Sequence, residues 1–403
     1  MRVLLSTFGS RGDVQPVLAL AVALRARGVN ARVCAPADDE FVRSFAAAGV
    51  PLLPAFARIR EWVAEMVPKR AAVHLPSLAA QVMAAQYEAI NAAAEGCDLM
   101  IATGLFSSVA AARSVADKRG IRYIHAAYCP RFLPSPYQRP YEYPSHPHPA
   151  EVTDNEALWE RDVRVMNEIF GGGLNALRAS VGLPSVDNVR DYCFTDRPWL
   201  AADPVLAPWH TPTKIDVTQT GAWMLPDERG LPDDLRAFLD AGDAPVYVGF
   251  GSLPAPKDFA RTSIEVVRAH GRRVLLSRGW ADLALVDDRD DCFILGDVSH
   301  QALFPRVAAA IHHGGAGTTT AAARTGTPQV VVPQFGDQPY WASRVWELGI
   351  GAAHEGPAPT AESLSTSLAS ALNPAVRARA LELSQSVRDD GATRAAELLL
   401  RAV

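Results

Sequence analysis

The stretch Ala309-Ala310-Ile311-His312-His313-Gly314-Gly315-Ala316-Gly317-Thr318-Thr319-Thr320-Ala321-Ala322-Ala323 decides the fold. It opens as a short apolar run, passes through glycines and closes in small helix-forming residues. A strand that turns on glycines into a helix leaves the helix's first N–H groups unpaired, at the positive end of its dipole. Glycine lets backbone close on an anion without side-chain interference, and threonine adds a hydroxyl or a cap. The segment reads as a cradle of diphosphate size built from His313, Gly315, Ala316, Gly317 and Thr318, with His313 donating to a phosphate oxygen. A plain Gly-rich turn capped by Thr318 is the alternative, but adjacent histidines and repeated glycines exceed what a turn needs. No lysine follows the glycines, so this is not a Walker loop.

Working outward, the same alternation of strand and helix continues on both sides. Val246-Tyr247-Val248, Val274 to Ser277 and Val330-Val331-Val332 are further apolar strands. The last leads into Pro333-Gln334-Phe335-Gly336-Asp337-Gln338-Pro339, at the strand end where parallel sheets bind ligands. Asp337 can accept two hydroxyl hydrogen bonds and Gln338 can donate and accept, which suits the vicinal hydroxyls of a sugar ring. An Asp-containing turn before a helix at Tyr340 is the plainer reading. In the first half, Val3 to Thr7, Arg32 to Ala35, Leu99 to Thr103 and Tyr123 to Ala127 are strands. The Gly9-Ser10-Arg11-Gly12-Asp13 turn follows the first, with a helix expected to open at Pro16 and close at Gly28.

Such alternation predicts parallel sheets covered by helices on both faces. Phe8-Gly9-Ser10 after the first strand recurs as Phe250-Gly251-Ser252 after the strand that opens the second half. The expected fold class is therefore α/β, two Rossmann-like doubly wound domains facing a central cleft. The boundaries read as a first domain over 1–205, a linker over 206–216 within the proline-bearing stretch Pro198 to Lys214, and a second domain over 217–385. Residues 386–403 form a C-terminal helix expected to cross back to the first domain.

A length of 403 residues agrees with two domains, and 49% hydrophobic with 21% charged residues is the balance of a globular protein with a large core. A net charge of −5 without a basic run argues against nucleic acid as a partner. The five cysteines are scattered and never in a CxxC pair, which reads as reduced thiols rather than a disulfide framework or a zinc site. No signal peptide and no integral membrane segment is read, so the expectation is a cytoplasmic protein, a monomer or weak dimer.

Asp13 is the residue expected to carry chemistry in the first half. Sugar transfer needs a base to take the acceptor's hydroxyl proton, and a carboxylate at this turn would face the cradle across the cleft. A favourable acidic residue near a helix start is the plainer reading. Between Tyr128 and Pro149 the pattern collapses into a proline-rich loop bearing Phe132, Tyr137, Tyr141 and Tyr143. Tyr128, Tyr137 and Tyr141 are expected to line an apolar acceptor lid, with core cover as the alternative, and His125 either touches acceptor or is a satisfied structural histidine. His146 and His148 have no third ligand in view and read as a surface loop rather than a metal site.

Gly9 to Asp13, His312 to Thr320 and Asp337-Gln338 together resemble family 1 glycosyltransferases of the GT-B fold, most closely the glycopeptide-antibiotic (vancomycin-type) branch. Thr195-Asp196-Arg197-Pro198-Trp199, Gln219 to Trp223, Gly249 to Leu253 and Ser277 to Trp280 support this. The resemblance spans nearly the whole chain and weakens over 55–75 and 137–152. It implies an acceptor-binding first domain and a nucleotide-sugar-binding second domain, performing inverting hexose transfer from a UDP- or TDP-sugar to a bulky natural-product aglycone. No cofactor and no metal is expected. Asp13 falls on the family's base, and Ser10 and Ser252 join the cradle residues at the diphosphate. Asp337 and Gln338 fall on the donor sugar, with Trp280 and Val298 at the nucleobase. Where the plant branch has a ribose-binding glutamate, this chain has Ala321, so the ribose contact is unassigned. Polyketide or sterol-like acceptors are alternatives, as are an epimerase and a non-catalytic sugar-nucleotide binder. A Rossmann dehydrogenase is disfavoured because the first turn lacks the full GxGxxG.

Overall fold

Strand β1 (Arg2–Phe8) is buried at every residue after Arg2, which requires helices on both sides of the sheet it belongs to. It pairs in parallel with β2 (Asn30–Ala35) on one side and β4 (Leu99–Gly104) on the other. With β3 (Leu52–Pro54), β5 (Arg122–Ala127), β6 (Trp199–Leu200) and β7 (Thr218–Gln219), they form a seven-stranded sheet ordered β3-β2-β1-β4-β5-β6-β7. The computed structural model describes residues 1–69, 74–253 and 255–401.

The second half repeats the plan. Strands β8 (Val246–Gly249), β9 (Val274–Ser277), β10 (Cys292–Leu295), β11 (Ala309–His312), β12 (Gln329–Val331) and β13 (Gly351–Ala353) form a parallel sheet ordered β10-β9-β8-β11-β12-β13. Val246, Val248, Ile311 and Val330 are fully buried and anchor its core together with Phe250, Ile264 and Leu368. In each unit the opening strand is central and strand order reverses beside it, between β1 and β4 and between β8 and β11. Those reversals are where an open α/β sheet leaves a crevice for ligand.

The chain divides into one unit of Met1–Ala202, Pro208–Leu225 and Asp389–Val403 and another of Asp203–Ala207 and Pro226–Arg388. The proline-bearing stretch read as a linker is therefore largely ordered structure. Trp199 and Leu200 are buried as β6, and Thr218 and Gln219, assigned from sequence to the second domain, pair with them as β7 of the first sheet. Within the first unit the C-terminal helix Gly391–Arg401 packs on the helix Arg11–Arg25, where Arg27 pairs with Glu397 at 2.9 Å. Gly391 permits this approach, since a Cβ there would stand 2.3 Å from the Ala222 carbonyl.

The first helix begins at Arg11, not at Pro16. Ser10 holds the extended backbone of an N-cap, and its N–H donates to Asp13 Oδ2 at 2.9 Å. That reciprocal bond starts the helix a turn earlier than the proline would. Pro16 sits in the second turn, where it only forfeits the bond to the Gly12 carbonyl.

Candidate functional site

In the second unit, the residues expected to bind a donor all lie in the loops at the carboxyl edge of the sheet. In strand order they run Val298 after β10, Trp280 after β9, Ser252 after β8, His313 to Thr318 after β11, and Asp337-Gln338 after β12. At about 4.8 Å per strand, that row spans roughly 19 Å.

Its centre is the turn after β11. Gly314 adopts φ +90°, and a Cβ on it would meet Val331 Cγ1 at 2.6 Å, so only glycine fits. Gly315 caps the helix Ala316–Arg324, and a Cβ on it would stand 2.6 Å from His313 Nε2. Thr318 is therefore not the cap: it is the third helical residue, and Ala316, Gly317 and Thr318 carry N–H groups that the helix itself leaves unpaired. Nothing lies within 4 Å of a Cβ placed on Gly317, so a side chain there would fill the space in front of those N–H groups. Thr319 and Thr320 do not face it, because their hydroxyls donate back to the Gly315 and Ala316 carbonyls at 3.0 and 2.7 Å.

The two histidines have separate tasks. His312 is fully buried, and its Nδ1 accepts the Gly314 N–H at 3.0 Å. The proton must then sit on Nε2, which donates to Gln329 Oε1 at 2.9 Å. His312 is thus a neutral brace between β11, β12 and the glycine turn, and burial holds its pKa down near about 3. His313 is the ring beside the cradle. Its Nδ1 is buried with no protein partner, and burial, with a smaller contribution from His300, lowers its pKa to about 4. A buried ring nitrogen without a partner is a vacancy for a ligand hydrogen bond.

Neighbouring turns close on this one. Gly251, at φ +57°, lies where a Cβ would be 3.1 Å from His313 Cε1, and Ser252 follows it, 9% exposed. The Trp280 N–H donates to the Gly251 carbonyl at 2.8 Å, tying the turns after β8 and β9 together. Trp280 and Val298 are half-buried. Beyond β12, Asp337 Oδ2 accepts the Trp341 indole N–H at 2.7 Å. Gln338 is more buried than a plain sugar contact suggests, at 5% exposed, and its Oε1 accepts the Gln334 and Phe335 N–H groups at 2.7 and 3.3 Å. Only its amide NH₂ end remains to face a ligand.

In the first unit, Asp13 stands at the reversal of strand order, after β1. Gly9 makes room for it, since a Cβ there would overlap Asp13 Oδ2 at 2.0 Å. Tyr128, following β5, donates its hydroxyl to the Asp13 carbonyl at 3.2 Å, and so sets the first turn that carries the carboxylate. His125 lies inside rather than on an exposed rim. It is 4% exposed, stacks on Phe194 with ring centroids 4.6 Å apart, and burial lowers its pKa to about 3. The proline-rich loop is held by the helix Asn155–Met166. Trp159, Arg161 and Asn155 donate to the carbonyls of Gln138, His146 and Pro136 at 2.9, 3.2 and 2.9 Å. Tyr141 is half-buried against Phe132 and Tyr143, whereas Tyr137 turns outward, 48% exposed. His146 and His148 pair with Glu168 and Glu142 at 3.1 and 3.3 Å.

Among the described residues no three His, Cys, Asp or Glu side chains gather as a metal site would, and no helix is long and apolar enough to cross a membrane. A cavity of about 600 Å³ in the first unit lies away from this edge, between Arg113, Tyr192 and Trp199, and touches none of the residues above.

Residues 3–129 match the model of the glycosyltransferase family 28 N-terminal domain, and 290–396 that of the erythromycin biosynthesis protein CIII-like C-terminal domain. Over 403 residues the chain is 54% identical to glycosyltransferase GtfE of Amycolatopsis orientalis, covering 100% of this chain and 98% of that protein. It is 51% identical to the vancomycin aglycone glucosyltransferase of the same organism, with the same coverage. Among solved structures, the glycosyltransferase of kitacinnamycin superposes with a TM-score of 0.73 at 21% identity, covering 100% of this chain and 99% of that one. That last likeness speaks to the fold.

Proposed function

Because the chain belongs to the vancomycin-type glycosyltransferases, we propose that it moves a hexose from a UDP- or TDP-sugar to a hydroxyl of a glycopeptide aglycone, with inversion at the anomeric carbon. The observation that carries the donor half is the order of residues along the second sheet's edge. Trp280 and Val298 on one side, the unpaired N–H groups with His313 and Ser252 in the middle, and Asp337-Gln338 on the other match base, diphosphate and sugar. The middle suits the diphosphate: three helix N-terminal N–H groups and a neutral histidine offer hydrogen bonds without a fixed positive charge. Ser10, in the first unit, is assigned to the same phosphates on the resemblance alone.

In this reading the first unit binds the acceptor, with Tyr128, Tyr137 and Tyr141 at the loop that meets it, and supplies the base. Asp13 takes the hydroxyl proton while the acceptor oxygen forms a bond to the anomeric carbon. The bond from that carbon to the phosphate oxygen breaks, and its electron pair leaves with the diphosphate, which the cradle stabilises. One displacement inverts the configuration. The reaction needs no resident metal, because the N–H groups take the charge a divalent cation would otherwise bear.

The test is incubation of the purified protein with radiolabelled UDP- and TDP-hexoses and a panel of glycopeptide, polyketide and sterol acceptors, with and without a chelator. The reading predicts chelator-resistant transfer to a glycopeptide. Donor isomerised without transfer, label moved to another acceptor class alone, or an absolute magnesium requirement would each contradict it.

A further inference from the structure

Strand β13 ends at Ala353, and the next residue, His354, continues the ladder by donating its N–H to the Val331 carbonyl at 2.8 Å. The His354 ring is 5% exposed with both nitrogens engaged. Nδ1 lies 3.0 Å from the Gly356 carbonyl, which can only accept, so Nδ1 carries the proton. In the neutral ring Nε2 then accepts the Ser363 hydroxyl, 2.8 Å away. Ser363 Oγ in turn accepts the Thr360 N–H at 3.0 Å, in the capping box that starts the helix Ala361–Ala371.

His354 thus pins a turn on two sides. Gly356, at φ +75°, reverses the chain and delivers Pro357, whose carbonyl accepts the Gln334 side-chain amide at 2.8 Å. The Gln334 backbone N–H then donates to Gln338 Oε1 at 2.7 Å. A continuous run of hydrogen bonds and short turns therefore leads from a buried imidazole to the loop bearing Asp337 and Gln338. Neither His354 nor Gln334 lies in the cradle, and none of these bonds involves Ala316, Gly317 or Thr318.

We propose that His354 is a positioning residue for donor-sugar recognition. By holding the Gly356-Pro357 turn against Gln334, it sets the loop after β12 at the place where the transferred sugar is read, and leaves the nucleoside diphosphate site alone. This rests on the reading that Asp337 and Gln338 contact the sugar. The unpartnered acceptor left on Gly356 and the loosened Pro357 anchor give His354→Ala its effect.

The experiment compares His354→Ala, Gln334→Met, their double variant and Asp337→Ala. Donor KM and kcat are measured with intact nucleotide-sugar, and Kd by calorimetry with the free nucleoside diphosphate, which has no sugar. His354→Ala and Gln334→Met should each raise donor KM roughly 5- to 20-fold, the size of one lost buried hydrogen bond, with diphosphate Kd changed by less than about twofold. The double variant should be no worse than the poorer single, because both act through the same anchor. Parallel loss of diphosphate affinity, additive effects, or a normal KM in His354→Ala beside a raised KM in Asp337→Ala would overturn the proposal. An unchanged KM in Asp337→Ala would instead bring down the donor-sugar reading, and this inference with it. Should His354→Ala fail to fold, Gln334→Met carries the same test, because its side chain lies in the loop and is only half-buried.

Discussion

Asp13 occupies the third position of the helix Arg11–Arg25 and accepts the Ser10 N–H at 2.9 Å, so one carboxylate both closes a capping box and stands ready as a base. The two tasks separate by substitution. Asparagine keeps an acceptor for Ser10, so Asp13→Asn should melt as the parent does, whereas Asp13→Ala should lose about 0.3–1.5 kcal/mol, the worth of a helix-terminal device. Equal melting of both variants would show that the cap contributes nothing. His313, with its unpartnered Nδ1, invites a second substitution. His313→Ala should weaken nucleoside diphosphate binding by about 1.5–3 kcal/mol, the range for a hydrogen bond to a charged group, and calorimetry showing an unchanged Kd would remove it from the cradle. Sequence alone flagged His312-His313 as a pair and could not divide their labour. Successive residues at a strand's end point to opposite sides, so His312 turns inward to Gln329 while His313 emerges beside Gly251. His354 and Gln334 were invisible for a related reason: a buried polar residue has no period or spacing, and its meaning lies in the partner it meets.

At the scale of elements, legibility followed burial. The central strands β1, β4, β8 and β11 are buried along most of their length and read as apolar runs. Strands β3, β6, β7, β10 and β13 went unread, because a strand of two to four residues at or near an edge takes its state from the neighbour it pairs with. The capping box was missed too: Pro16 is a good opening residue, and the bond from Ser10 to Asp13 outcompeted it. The proline-rich loop was legible in place and composition, but its ties to Asn155, Trp159 and Arg161 were not. Those ties mean the loop is ordered before acceptor arrives, so little entropy is lost when its exposed tyrosine meets an aglycone. Replacing residues 139–147 by a short Gly-Ser link should therefore raise acceptor KM and leave diphosphate Kd unchanged. A fall in donor binding would mean that the loop supports the core instead.

Over the whole molecule, the buried histidines set an acid limit. His125 and His312 titrate near about 3 and His313 near about 4, all held below the ordinary 6.5 by burial. Each is neutral in the folded chain and gains a proton on unfolding once pH drops below 6.5. Their stabilisation is complete above that value and lost as pH falls toward 4, by up to about 1.4 kcal/mol per pH unit for each ring. Asp162 works the other way in the first unit, where burial raises it to about 6 despite the Arg190 pair, and the folded chain then binds the extra proton. The second unit, with His312 and His313, should thus lose hydrogen-exchange protection faster than the first between pH 6.5 and 4.5, and an equal or opposite order would contradict the burial assigned to those rings. What joins the two units in function is the transfer itself. The most direct measurement is the steady-state rate of hexose transfer to a glycopeptide aglycone, followed by mass spectrometry, for the parent and Asp13→Asn. The parent should add one hexose per turnover, and the variant should keep its diphosphate Kd while kcat falls by roughly 10²–10⁴, the usual loss for a general base. Near-normal turnover in Asp13→Asn, or no transfer by a parent protein that binds nucleotide-sugar and aglycone, would contradict it.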